Sequence, residues 1–470
     1  MSIPAEFIRN YFGVVHPGLY EKYADFGARW NRSDTCIWDI MAPGASFSFD
    51  KWDHEMQAAQ AHGVTPFPLL GVNYTPAWAT HEGVNRYPPR SIQQLREGVE
   101  ALVRRTSRPP LDLTFFEVSN EPNIGWFWRT ADPGEVHKVY IDQILIPTAE
   151  IIHRYGGKVV APSITMEWPD NAWPARERPK RKCFSVAWSI KAIQDWLGYH
   201  DAWKHIDYFS LHYTKGDTEK TMVPYAENMM PLYDYLFDNW VRPGKIEGIW
   251  NTEEGLTAVE AGNVGEVALE PWEVPPYGQW VPRYTVPVIH WAIGRGWRDR
   301  DQYKVFWYNI RSGGALSPTS MVGGEDGREI LDPGKAMGTL VRLFSNVETV
   351  DVYGGSVDVG FGLYPKDPAA LNYFAPYLFT NYAFSVDRDL LVVAWMDLPG
   401  LETEGAPIQA VVNGLGGVSS VSSVVRTHYL TGMEEPASFS WSGDALHIAL
   451  RRAPDPVVYF RVCGSGEGLV

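Results

Sequence analysis

Two short stretches end in carboxylates whose setting could do chemistry. The first, FFEVSNEPN (115–123), begins with Phe115, Phe116 and Val118, which suit a strand packed on both faces. It ends in Asn120, Glu121, Pro122 and Asn123. The second, WNTEEG (250–255), carries Glu253 and Glu254 after Asn251 and Thr252. A carboxylate closing a buried strand costs free energy unless it is paired, hydrogen-bonded or otherwise used. Two carboxylates facing one pocket can split an acetal C–O bond. One protonates the leaving oxygen, and the other attacks the anomeric carbon or activates water. The acid must keep its proton near neutral pH, which repulsion from its partner favours, and a nearby arginine would keep the partner ionised. Arg32 is the candidate for that arginine. The plainer reading is that Asn and Pro mark an ordinary strand-to-loop turn and Glu121 merely reaches water. The elements around both stretches have to decide.

Short apolar runs alternate with helical segments over the first three quarters of the chain. Strands are expected at 11–17, within 28–37, and at 64–72, 113–123, 157–164, 206–214, 246–255 and 303–310. Helices are expected between them, including 51–63, 91–105, 133–156 with a kink at Pro147, 281–296 and a last one over 334–346. Eight buried strands, each followed by a helix, predict a (β/α)₈ TIM barrel over residues 1–347. Beyond residue 348 helical periodicity disappears. LVVAWMDL, IQAVVNG, SSVVRTHYLTG, ASFSWSG, ALHIALRR and PVVYFRV read as short strands between Gly, Pro and Ser turns. Residues 348–470 are therefore expected to form an all-β sandwich. Barrels of this kind carry their chemistry at the C-terminal strand ends. Arg32 and Asp34 fall at the end of strand two, and Asn73, Tyr74 and Trp78 at strand three. Asn120 and Glu121 end strand four, His212 and Tyr213 strand six, Glu253 strand seven, and Trp307 to Asn309 strand eight. His16 closes strand one, as a sugar contact or as a capped structural histidine.

With the strands counted, FFEVSNEPN on strand four and WNTEEG on strand seven resemble the retaining glycoside hydrolases of clan A. In that clan an Asn-Glu pair ends strand four, its Glu being the acid/base, and a Glu often set as Thr-Glu-x-Gly ends strand seven as nucleophile. The resemblance maps these roles onto Asn120-Glu121 and, through Thr252 and Gly255, onto Glu253. Within the clan, FEVSNEPNIGWFWRTADPGEVHKVY is most similar to family 39, the β-xylosidase and α-L-iduronidase family. GARWNRSDTCIWD and LLGVNYTPAWA resemble that family's strands two and three. The likeness implies that Asn120 bonds the sugar 2-hydroxyl, that Tyr213 or His212 touches the nucleophile or the sugar, and that Trp307 floors the pocket. Ser119 departs from the pattern, because family members usually carry Trp there. The adjacent Glu254 leaves a choice of nucleophile, and strand alternation allows only one of the two to face the axis.

Composition narrows the substrate and excludes other classes. The 20 Trp, 24 Tyr and 20 Phe suit either a large core or platforms for sugar rings. Trp78, Trp126, Phe127, Trp128, Trp168, Trp173, Trp272 and Trp280 fall on loops of the active face and are candidate subsite linings, half of them expected only to pack loops. A net charge of −15 excludes a nucleic-acid partner of ordinary kind. The basic run RERPKRK (176–182) reads as a solvated loop or as an attractor for uronic or sulfated glycans, an idea weakened by Glu260, Glu266, Glu270 and Glu273. Cys36, Cys183 and Cys463 have no zinc or disulfide spacing, and His54-Glu55 lacks the second histidine of a zinc motif because position 58 is Ala. No cofactor and no metal are expected. The N-terminus has no basic and apolar signal pattern and no run suits a membrane helix, so a cytoplasmic protein is the simplest reading, with a secreted protein already trimmed of its signal as the alternative. NRS at 31 and NYT at 73 fall on barrel strands and are chance glycosylation matches. The expected partner is an oligosaccharide or polysaccharide, with homo-oligomerisation open. The alternatives are an endo-acting or uronic-acid-directed hydrolase, a sugar-binding barrel without activity, and a metal hydrolase, the last disfavoured for want of a ligand cluster.

Overall fold

The computed structural model describes residues 2–34, 36–41, 47–125, 127–165, 186–215, 229–256, 277–311, 320–361, 379–396, 408–415, 421–450 and 457–464. Eight parallel strands form one sheet: β1 (Phe12–Val15), β2 (Trp30–Ser33), β3 (Thr65–Pro68), β4 (Phe115–Glu117), β5 (Lys158–Thr165), β6 (Tyr208–Lys215), β7 (Gly248–Leu256) and β8 (Tyr303–Trp307). Their order is β3-β2-β1-β8-β7-β6-β5-β4. A parallel bridge from Leu69 to Glu117 joins the two outer strands and closes the barrel. The main chain reinforces that seam, since Leu70 N donates to Glu117 O at 2.7 Å and Val72 N to Val118 O at 3.1 Å.

The barrel interior explains much of the aromatic excess. Trp30, Phe67, Tyr208, Trp250 and Phe306 form a buried cluster with Val15 and Val160, and Phe115 packs against it. Trp250 lies 5.0 Å from Phe67, Phe115 and Tyr208, ring to ring. This plug fills the barrel below the strand ends and gives the site above it a rigid floor. At its base Lys304 is wholly buried over Trp30 and Trp250, and its ammonium donates to Asp301 at 3.0 Å. Burial lowers that ammonium to about 8, with Asp301 opposing the shift.

Several expected elements are reshaped. β4 stops at Glu117 rather than running to Asn123, because residues 119–121 leave the sheet and Glu121 adopts φ +41°. The segment after β4 is helical over Val136–Tyr140 and Ile146–Arg154, joined by a π turn at Ile141–Leu145. Pro147 is the physical cause: it has no N–H to offer the carbonyl four residues back, so the helix loosens just before it. Helix Ile92–Thr106 starts as its sequence predicts, with Ser91 Oγ accepting from Gln94 N at 3.1 Å.

The C-terminal region forms a seven-stranded and a four-stranded antiparallel sheet. The larger sheet also takes in Ile3–Pro4 from the opposite end of the chain, paired with Thr349–Val350. No helix among the described residues is long and apolar enough to cross a membrane. Cys36 and Cys463 are free thiols, and Cys183 lies outside the described residues.

Candidate active site

Backbone geometry brings Glu121 to the barrel mouth. Beyond β4 the chain turns through a left-handed φ at Glu121, whose N–H donates to Ser163 O at 2.9 Å. Asn73 clamps the preceding residue from β3's loop: its Nδ2 donates to Asn120 O at 2.7 Å, and its Oδ1 accepts from Asn120 N at 3.2 Å. Asn123 does the same toward β5, exchanging two hydrogen bonds with the Thr165 backbone at 2.9 and 3.1 Å. On the other side, an irregular register between β6 and β7 sets His212 opposite Glu253 and Tyr213 opposite Glu254. Glu253 faces the mouth. Glu254 turns away, hydrogen-bonded by Asn251 Nδ2 and by Gly255 N, and its charge is felt by Tyr11 and Tyr233.

Arg32 and His212 tie the carboxylates together. Arg32 Nη1 donates to Glu253 Oε1 at 2.6 Å and Nη2 to Asn120 Oδ1 at 2.7 Å, while Nε is bonded to Glu117 Oε2. With its Oδ1 occupied, the Asn120 amide keeps its NH₂ as the remaining donor. His212 Nδ1 stands 3.0 Å from Glu121 Oε1 and 3.6 Å from Glu253 Oε2. Its Nε2 stands 3.9 Å from Glu117 Oε1, an ionic distance rather than a hydrogen bond. Burial opposes charge on His212, yet Glu253, Glu117 and Glu121 outweigh it and push the imidazole up to about 9. Burial likewise opposes charge on Arg32, and Glu117, Glu253 and Asp34 more than restore it. Glu117 is held below its ordinary value: burial works against ionisation, but Arg32 and His212 win. Burial raises Glu253, with Glu121 adding to the rise and His212 and Arg32 pulling back.

One carboxylate oxygen each of Glu121 and Glu253 and a ring nitrogen of His212 all lie within 4.8 Å of one another. This corrects the sequence reading, which found no cluster able to hold a metal. The cluster forms only in the fold, from three different strand ends. It does not fit a cation, however. Arg32 already neutralises Glu253, and an imidazole held protonated has no lone pair to offer.

The remaining predicted residues divide. Tyr74 is half-buried on the site wall, where Arg32, Asp34, Glu253 and Glu121 all act on its phenol. Its ring lies 5.9 Å from Phe127, and the Arg86 guanidinium stands over both rings at 5.6 and 5.3 Å. His16 Nε2 is 2.9 Å from Asp34 Oδ2, and its ring meets Tyr308 edge-on at 5.0 Å. Trp78 is half-buried and packs edge-on against Trp38 at 5.9 Å. Three expectations fail. Trp307 is 1% exposed and belongs to the layer between barrel and helices. Strand alternation sends Trp307 outward and turns Tyr308 toward Glu253 instead. Trp128 is 0% exposed and packs on Tyr140, so it lines no subsite. Trp280 is likewise buried, stacked on Tyr284. Asn31 and Asn73 are fully buried, which removes both glycosylation matches. The Tyr213 side chain, Trp126, Trp168, Trp173, Trp272, the run 176–182 and the acidic residues 260–273 lie outside the described residues.

Sequence reasoning missed Glu117, and it named Tyr308 only as a strand-end residue beside Trp307. Glu117 had a signal: it is a charged residue between Phe116 and Val118 in a strand otherwise read as buried, and such a charge must be paired. Ser119, by contrast, now has a packing account. Its Oγ bonds the Tyr140 hydroxyl, and that ring packs against Trp128 and Trp196.

No protein-family model and no curated protein matches the chain. Solved structures do. A family 39 glycoside hydrolase from the gut symbiont Bacteroides cellulosilyticus aligns with a TM-score of 0.58 at 14% identity, over 98% of this chain and 82% of that one. A family 30 endoxylanase from Clostridium papyrosolvens aligns with a TM-score of 0.53 at 15% identity, over 97% and 96%. A conserved exported protein from Bacteroides fragilis gives 0.54 at 12%, over 98% and 95%. The likeness is one of fold. It extends over both the barrel and the β-sandwich, as the coverage requires.

Proposed function

We propose that the chain is a retaining glycoside hydrolase in which Glu121 is the acid/base and Glu253 the nucleophile. The observation that carries this reading is that one oxygen of Glu121 lies within 4.8 Å of one oxygen of Glu253, with Arg32 on Glu253 and His212 between the two. Retaining pairs stand about 5–5.5 Å apart, and inverting pairs about 6.5–9.5 Å to admit a water. In the first step Glu253 attacks the anomeric carbon while Glu121 gives its proton to the leaving oxygen. In the second, Glu121 takes a proton from water as the water oxygen displaces Glu253. Asn120, its Oδ1 held by Arg32, offers its NH₂ to the sugar beside the reacting bond. Tyr74, Tyr308, His16 and Asp34 frame the pocket. Two carboxylates this close titrate as a pair, so the rate should be bell-shaped in pH.

The substrate proposed is a β-xyloside or a related glycan. It is supported by the resemblance of FFEVSNEPN to family 39 and by the fold shared with a family 39 hydrolase and a family 30 endoxylanase. The latter neighbour favours endo action on a polysaccharide as the second reading. The deciding experiment screens aryl glycosides and xylans with the wild type, Glu121→Gln and Glu253→Gln, and follows the anomer first released by NMR. Each substitution is expected to cost at least about 10²-fold in turnover. For substrates with acidic leaving groups Glu121→Gln should spare the first step, read as kcat/KM, while the second step stays slow, and Glu253→Gln should spare neither. The first product should keep the anomeric configuration, and a chelator should change nothing. Hydrolysis that survives both substitutions, or an inverted product, sinks the assignment.

A further inference from the structure

A third carboxylate lies directly beneath the reacting pair. Glu117 is 0% exposed, the last residue of β4 and four residues before Glu121. Its Oε2 is bonded to Arg32 Nε, and its Oε1 accepts from Ser163 Oγ at 2.7 Å. Ser163 Oγ is in turn 2.7 Å from Ser210 Oγ. His212 Nε2 faces the same Oε1 and has no hydrogen-bond partner among the described residues. Resting on the reading of Glu121 and Glu253 as the reacting pair, we propose that Glu117 is a positioning residue that aims Arg32 at Glu253 and holds His212 as a cation between the two reacting carboxylates.

The geometry of each partner requires it. Arg32 uses its three nitrogens on three acceptors: Nε on Glu117, Nη1 on Glu253, Nη2 on Asn120. Without Glu117 the buried Nε has no acceptor, and nothing fixes the rotation of the fork that presents the other two. His212 faces carboxylates through both ring nitrogens. Even with the proton on Glu121, Nδ1 faces the ionised Glu253 at 3.6 Å and Nε2 the ionised Glu117 at 3.9 Å, so a neutral ring would turn a lone pair on one of these and the doubly protonated ring is the form that fits. Among the described residues, the charged groups around His212 are Glu117 and Glu121 from the β4 side, Glu253 from β7, and Arg32 and Asp34 from β2, and of these only Arg32 joins burial in opposing its charge.

The arrangement matches the charge changes of double displacement. The reacting pair carries one negative charge at the start, on Glu253. After glycosylation it still carries one, now on Glu121. Glu117 and His212 cancel as an internal pair, which leaves Arg32 to balance that single charge through both steps.

The test is Glu117→Gln, read by turnover and by NMR titration of His212 in protein labelled at histidine Cε1, with His212→Asn to assign the signal. The His212 midpoint, expected near 9 in the wild type, should fall by at least about one pH unit. In the same variant kcat should fall about 10²-fold, because a small misplacement of a reacting group costs that much, with KM changed far less. A folded Glu117→Gln whose His212 midpoint is unmoved overturns the proposal, whatever its activity. Should that variant fail to fold, Glu117→Asp keeps the charge but withdraws it from Arg32. Its His212 midpoint should stay above the ordinary value of 6.5 while kcat falls, and wild-type values of both overturn the proposal. The titration needs no turnover. A chain that hydrolyses nothing, yet shows the stated fall, loses the proposed function and keeps Glu117's hold on His212.

Discussion

Trp307 and Tyr308 are adjacent, and alternation at a strand end gives them opposite surroundings. Trp307 lies in the outer layer, while Tyr308 meets His16 and is pushed up to about 12, by burial first and then by Glu253. Trp307→Ala is therefore expected to cost about 3–5 kcal/mol of stability with KM little changed. Tyr308→Ala should raise KM and leave stability largely intact. Denaturant titration and steady-state kinetics on both variants check this, and exchanged effects would return Trp307 to the pocket. The pair also shows where the sequence stops speaking. A strand's period is legible, but its parity is not, because one residue of slip exchanges the two faces. The same ambiguity stood between Glu253 and Glu254, and the irregular β6–β7 register resolves it. Residue types at strand ends named Arg32, Asn120, Glu121, His212 and Glu253, and the fold brings these five side chains together. Trp128 was misplaced because an aromatic in a loop sequence carries no sign of whether it points at solvent or at a helix.

At the scale of elements, the strands that close the barrel were legible because each is an apolar run bounded by breakers. The elements that resisted are those with no period to read. Ile3–Pro4 is two residues long, and Thr349–Val352 has a single fully buried position. The joint between the regions depends on such pieces. Helix Asp332–Arg342 ends beside three carbonyls that its own turns do not satisfy. Arg9 Nη1 donates to Phe344 O at 2.7 Å and Val347 O at 3.1 Å, and Arg461 Nη2, from the sandwich, donates to Leu343 O at 2.6 Å. Arg9→Met and Arg461→Met keep much of the apolar stem and remove the donors. Each is expected to destabilise the protein by about 1–2 kcal/mol, as partly buried carbonyls lose charged donors, without changing kcat or KM. Chemical denaturation measures the first part. A drop in kcat at full stability would mean that the joint reaches the site.

At the scale of the whole molecule, the seven-stranded sheet is buried on both faces along its central strands, Asp389–Met396 and Val457–Gly464. Along its strand Asp389–Met396, Leu391, Val393 and Trp395 join the core of the barrel helices, while Leu390, Val392 and Ala394 join the sandwich interior. This is why LVVAWMDL reads as a continuous apolar run rather than an alternating one. Val350, Phe384, Val457 and Tyr459 also belong to the barrel-side core, and Phe344 meets Phe384 edge-on at 5.9 Å. Side chains of this size contribute about 1.5–3 kcal/mol each when buried. The seven named here as facing the barrel together supply on the order of 10–20 kcal/mol, at least as much as the net stability of a typical domain, about 5–15 kcal/mol. Neither region can then be expected to stand without the other. A chain ending at residue 347 would expose the helix faces and leave Ile3–Pro4 without its partner strand. It is expected to aggregate or to lack cooperative unfolding, and the full chain should unfold in one calorimetric transition. A soluble 1–347 fragment with the full chain's Tm and turnover would show that the sandwich is an appendage and that the shared core adds nothing the barrel needs.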